Sequence, residues 1–150
     1  TPFRRLLEKY PNQFEFLQVG IQPQCNSKHH ADWAKSQGAE IFWLEQIEKQ
    51  GLLSVLKNHL SKNINRPLWV SLDIDAIISS EAPGCSQSWG QGLKTQELIQ
   101  TLKWLFENFQ WKSFSIYEVS PTLDTDNRTS KLAALFMHYF LTWNCFKNAK

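Results

Sequence analysis

The sequence predicts an α/β fold of three layers, α/β/α, built around a mainly parallel sheet. Three observations carry that expectation. Apolar spacing alternates between the helical and the strand period along the whole 150 residues. The most apolar strand-like run ends in polar, turn-forming residues, as strands of a buried parallel sheet do. A hydrophobic content of 42% supports one packed core, and no repeat or linker divides the chain.

The elements follow in order. Residues 2–10 read as a short helix, with Pro2 in its first turn and Phe3, Leu6 and Leu7 on one face; Pro11-Asn12 ends it. Residues 14–21 read as a strand. Residues 27–37 form a helix capped by Ser27 and stopped by Gly38. A short strand over 40–44 precedes a helix over 46–60 that buries Ile47, Leu52, Val55, Leu56 and Leu60. The run 67–74 is the strand that delivers Asp73 and Asp75. A long Ser-, Gly- and Pro-rich connection over 77–92 carries Trp89 near its tip, and such loops are usually functional. Residues 95–108 form a helix, 111–119 a strand, 120–127 a loop, and about 128–146 a last helix with Leu132, Leu135, Phe136, Tyr139 and Phe140.

Composition narrows the functions. Sixteen basic against 14 acidic residues, net +2, are scattered without the basic stripe that phosphate backbones require, so no nucleic-acid partner is expected. No stretch reaches the ~20 apolar residues of a membrane span. Cys25, Cys85 and Cys145 are odd in number and lack a CxxC spacing, which fits a reducing, cytoplasmic setting. The chain opens at Thr1-Pro2 without a methionine, and the natural N-terminus is expected upstream.

Asp73 and Asp75 are the leading candidates for chemistry. On an extended backbone an Asp-x-Asp pair sends both carboxylates to one side, where they repel unless a cation lies between them. Hard oxygen donors suit Mg, Mn or Ca; the alternative is a turn cap and a solvated strand end. Glu118, after an aromatic-rich strand, is placed to grip an amidinium or guanidinium by paired hydrogen bonds, or else to form an ordinary salt bridge or partner a helix cap. Among Asp124, Asp126 and Asn127 at least one is expected to cap the last helix. His29 and His30 are neighbours on a helix and cannot chelate one ion together. His59 reads as a surface residue and His138 as a packed one. Cys85 reads as a structural thiol, and Trp69 and Trp104 as core residues.

Taken in order, SLDIDAI, APGCSQSW followed by GQGL, and YEVSPTLDTDNRTSKLAA resemble the C-terminal half of the arginase–agmatinase–formimidoylglutamase superfamily, the ureohydrolases. That family shows S-x-D-x-D, an A-P-G loop, E-V-x-P and a D-x-x-x-R-T-x-x-x-A-A helix. The likeness runs from Arg66 to Ala134, and more loosely over Thr1 to Leu7. The loop is most similar to formimidoylglutamase-like members, because Ile78-Ser79 and Cys85-Ser86-Gln87-Ser88 replace the D-P and T-G-T-P of arginases and agmatinases.

The resemblance implies an arginase-like fold of which residues 1–150 are the C-terminal portion of one domain. It also implies a binuclear manganese site in which Asp73 bridges both ions and Asp75 binds one. A metal-bridging hydroxide, not a side chain of this stretch, would attack the amidine carbon while Glu118 holds the amidinium. The substrate would be N-formimidoyl-L-glutamate, giving L-glutamate and formamide in histidine breakdown. A guanidino substrate such as agmatine or arginine, or a non-catalytic binding module, is the alternative. The family's G-G-D-H and D-A-H-x-D segments, which supply the other ligands, are absent from the sequence. The implied partner is therefore a missing N-terminal half of the same protein, beside a possible homo-oligomer, and the chain alone is expected to be inactive. Arg4, Arg5 and Arg128 are candidates by charge alone for the substrate's carboxylate.

Overall fold

A computed structural model describes residues 2–148, which group into two compact units, Thr1–Gln50 and Gly51–Lys150. The first holds α1 (Pro2–Lys9), β1 (Phe16–Ile21), α2 (Lys28–Ser36), β2 (Ala39–Trp43) and α3 (Leu44–Gln50). Ser27 caps α2 as its sequence suggests, its hydroxyl accepting the His30 N–H at 3.2 Å, and Gly38 follows the helix with φ 84°. Strands β1 and β2 pair in parallel, Phe16 opposite Ala39, and the register slips between Val19 and Ile21. The residue between them, Gly20, has φ 77°, a conformation that favours glycine at a bulge. Ala31, Ala34, Phe42, Leu44 and Ile47 are buried here.

The second unit holds α4 (Leu52–Leu60), β3 (Pro67–Asp73), α5 (Thr95–Asn108), β4 (Gln110–Tyr117) and α6 (Arg128–Asn148). The single helix expected over 46–60 is two, because Gly51 takes φ 82° and ends the first. The Leu52 amide at the start of α4, which has no partner within its own helix, is satisfied from a distance: Glu97 of α5 accepts the Leu52 N–H. Gly51 offers no side-chain cap of its own.

Strands β3 and β4 also pair in parallel, from Pro67 opposite Gln110 to Asp73 opposite Tyr117. All ladder pairing among the described residues is parallel, as the alternating order demands, in two two-stranded sheets, each with two unpaired outer edges. On β3 the period of two turns Leu72 inward and leaves Pro67, Trp69, Ser71 and Asp73 exposed. Trp69 is 67% exposed, which corrects its reading as a core residue: its strand position, not its side chain, sets its face. Trp104 is half-buried.

Helix α6 packs Phe140 and Trp143 into an aromatic cluster with Phe106, Trp111 and Phe114, ring centroids 5.5 to 6.5 Å apart. Its Lys147 donates to the Phe106 and Phe109 carbonyls at 2.9 and 3.0 Å, placing a cation at the carboxyl end of α5. His138 is exposed rather than packed, since the cluster engages the face that carries Phe136 and Phe140 and His138 lies outside it. No helix among the described residues is long and apolar enough to cross a membrane.

Candidate functional site

Strand β3 ends at Asp73, one residue earlier than its apolar run suggests, and Ile74–Ala76 fold into a 3-10 turn. Asp75 therefore meets Asp73 across a turn and not along a strand. The turn is anchored because Ile74 and Ile77 are fully buried. Strand β4 stops opposite Asp73 at Tyr117, and Glu118 follows with φ 64°, so its carboxylate leaves the strand end at an angle no regular β residue adopts.

These three carboxylates converge. The Asp75 carboxyl is pushed up to about 7, first by burial, then by the charge of Asp73 and a side-chain hydrogen bond with it, then by the charge of Glu118. A proton on Asp75 relieves that repulsion; a divalent cation between the carboxylates would take over the proton's role. Cys85 lies in the same field. Its thiol is pushed up by burial and by the charges of Asp75, Asp73 and Glu118, and its Sγ contacts the Ala82 carbonyl at 3.4 Å. A thiol kept neutral in this way is a structural group and not a nucleophile.

The donor set suits a hard cation but does not complete a site. Among the described residues no group of three or more His, Cys, Asp and Glu is arranged to hold a metal ion. His29 and His30 are exposed on α2 with ring centroids 6.0 Å apart. Of the arginines considered for a substrate carboxylate, Arg4 pairs with Glu8 at 2.9 Å, and Arg128 with Asp126 at 2.7 Å.

The long connection is a packed element rather than an open loop. Ile77, Ala82, Cys85 and Leu93 are buried, and Ser79 N–H donates to the Trp89 carbonyl at 2.8 Å, leaving Trp89 part-exposed at the tip. Beyond it, the start of α6 is satisfied completely. Asp124, only 5% exposed, accepts the Thr129 N–H at 3.0 Å and the Ser130 N–H and hydroxyl at 2.8 and 2.7 Å. Asp126 accepts the Arg128 N–H at 3.1 Å, and the Asn127 carbonyl accepts from Lys131 at 2.9 Å. Burial pushes the Asp124 carboxyl up, but the hydrogen bonds from Ser130 and Thr129 outweigh it and hold the group below the usual range. The cap expected of this acidic stretch is thus shared by Asp124 and Asp126. Thr129, which periodicity alone does not single out, is fully buried and accepts the Gly84 N–H at 2.7 Å.

Known proteins resemble this chain. A profile of the arginase family matches residues 1–142. The formimidoylglutamase of Bacillus subtilis is 34% identical over 137 residues, covering 89% of this chain and 43% of that protein. Its crystal structure superposes with a TM-score of 0.80 at 33% identity, over 89% of this chain and 43% of that one. A Trypanosoma cruzi formiminoglutamase solved with Mn2+ shares the fold at a TM-score of 0.81 and 24% identity, over 95% of this chain and 48% of its own. The chain spans about half the length of the curated relatives it matches. With parallel strands, carboxylates at their ends and a profile match over nearly all its residues, this chain belongs to the arginase family.

Proposed function

We propose that this chain is the part of a formimidoylglutamase-like hydrolase that carries two metal ligands and the substrate grip. In this reading Asp73 and Asp75 would be ligands to manganese, and Glu118 would orient the amidinium of a linear amidine. The observation that carries it is the convergence of these three carboxylates at the carboxyl ends of β3 and β4, with the Asp75 carboxyl pushed up to about 7 by its neighbours. Manganese, when bound there, supplies Lewis-acid activation of water and stabilises developing negative charge. The chain's own residues bind and orient. Asp73 and Asp75 offer hard oxygens from a turn held by buried isoleucines, and Glu118 receives the substrate cation from a fixed backbone angle.

The net reaction adds water across a C–N bond of N-formimidoyl-L-glutamate; the amino nitrogen leaves with glutamate and the formimidoyl carbon with formamide. The remaining ligands come from additional polypeptide, for which the unpaired edges of the β3–β4 ladder offer pairing sites. Both units are then parts of one α/β domain. By itself the chain does not turn over.

The test combines this chain with the segment of the Bacillus subtilis relative that it leaves unmatched, in Mn2+, and follows formamide from N-formimidoyl-L-glutamate beside urea from agmatine and arginine. Formamide release that disappears with Asp73→Asn is expected. Release of urea in place of formamide overturns the substrate; turnover unaffected by Asp73→Asn overturns the metal ligation; formamide from the chain alone overturns its inactivity.

A further inference from the structure

Residues 77–94 carry none of the three carboxylates, yet they bond to the backbone beside two of them. At one end the Leu93 N–H donates at 2.8 Å to the carbonyl of Ala76, the residue after Asp75, and Ile77 bridges Leu93 in parallel. Gly92 permits that approach, since a Cβ there would lie 2.5 Å from Ile78 N and 2.8 Å from the Ile77 carbonyl carbon. In the middle of the loop the Gly84 carbonyl accepts at 2.8 Å the N–H of Ser120, two residues after Glu118. Gly84 N–H in turn donates to the buried Thr129 hydroxyl at 2.7 Å.

Glu118 needs such a hold. The other non-glycine residues with positive φ among those described are Asn12, Asn65 and Asn127, and asparagine tolerates that region through its short polar side chain. Glutamate has no such excuse, and a backbone of this kind persists only when its surroundings over-determine it.

We propose that Thr129 is a positioning residue for the candidate site. Through Gly84 and Ser120 it locks the left-handed turn at Glu118, while the Gly92–Leu93 end of the same loop locks the turn at Asp75. The loop 77–94 is thereby a strap that sets the separation of these two carboxylates. This rests on the reading of Asp75 and Glu118 as cation- and substrate-facing groups, because only then does their separation govern chemistry. Thr129 acts through the backbone alone. Valine in its place keeps the shape and leaves the Gly84 N–H buried without an acceptor; serine restores the acceptor.

Nuclear magnetic resonance on the whole 150-residue chain tests this, comparing the unaltered protein with Thr129→Val and Thr129→Ser. In the unaltered chain the Gly84, Leu93 and Ser120 amides should exchange as slowly as those in the middle of α5. Thr129→Val should speed Gly84 and Ser120 exchange about ten-fold or more, the worth of one buried hydrogen bond. It should also move the Glu118 Cα resonance away from its left-handed signature while α4 stays unchanged, and Thr129→Ser should reverse both effects. A Ser120 amide that exchanges in the unaltered chain as fast as that of Gly90 overturns the proposal, whether or not the valine variant folds. So does a folded valine variant whose Glu118 resonance stays put. Adding Mn2+ to the unaltered chain combined with the segment of the Bacillus subtilis relative that it leaves unmatched tests the metal reading separately, by paramagnetic broadening at Asp73 and Asp75. No broadening overturns that reading alone, and the exchange data still decide for or against the strap.

Discussion

Replacing Gly84 by alanine adds one methyl group where the backbone of the 77–94 loop crosses the start of α6. The new Cβ would lie 2.5 Å from the Asp124 Cβ, 2.7 Å from its Cγ and 2.9 Å from its Cα. Carbon atoms pack at about 3.5–4.0 Å, so all three contacts overlap by roughly an ångström. Asp124 cannot swing aside, because its carboxylate is held by Thr129 N and by Ser130 N and Oγ at 2.7 to 3.0 Å. The loop must move instead, which breaks the buried Gly84–Thr129 hydrogen bond. Overpacking costs about 1–3 kcal/mol, and orphaning the amide adds about 1–3 more. Together that is roughly 2–6 kcal/mol, a fall in Tm of roughly 4–24 °C for a domain of this size. The comparison is Gly90→Ala, around which nothing lies within 4 Å, and which should stay within about 0.5 kcal/mol of the parent. Urea unfolding followed by circular dichroism measures both. Midpoints for Gly84→Ala and Gly90→Ala that differ by less than the equivalent of about 1 kcal/mol would refute the steric argument.

Three further outcomes follow from the same geometry. Gly51→Ala, at φ 82° between α3 and α4, should destabilise by about 1–2 kcal/mol in the same urea assay, since an L side chain is strained there. The Asp75 carboxyl, raised from 3.8 to about 7, binds its proton more tightly folded than unfolded. Stability in metal-free buffer should therefore fall as pH rises from about 4 to 7, and Asp75→Asn, which mimics the protonated acid, should flatten that slope in a series of pH-dependent melts. Trp69→Ser on the exposed face of β3 should change stability by less than about 0.5 kcal/mol, against about 3–5 kcal/mol for Phe136→Ala in the core, both read by urea titration.

Much of the fold was legible because the governing interactions are local. The bounds of α5, Thr95–Asn108, are those the sequence suggests, and Ser27 and Gly38 frame α2 through contacts within a few residues. Strand periodicity was enough to place Asp73 and Glu118 at strand ends, and the structure made those strands neighbours. Local reading misled at Trp69, where residue type suggested burial and strand phase decided otherwise. It also missed the break at Gly51, whose amide partner, Glu97, lies 45 residues from Leu52.

By itself the sequence determined the order of elements, the carboxylates and where along the chain they stand, since periodicity, caps and glycine positions act over a turn or two of backbone. Only the tertiary structure decided that Asp75 holds its proton to about neutral pH, because burial and two neighbouring carboxylates set that value. It alone joined Gly84 to Thr129 across 45 residues and closed the left-handed turn at Glu118. Such effects arise from groups distant in sequence meeting out of reach of water, and no local pattern of residues encodes that meeting.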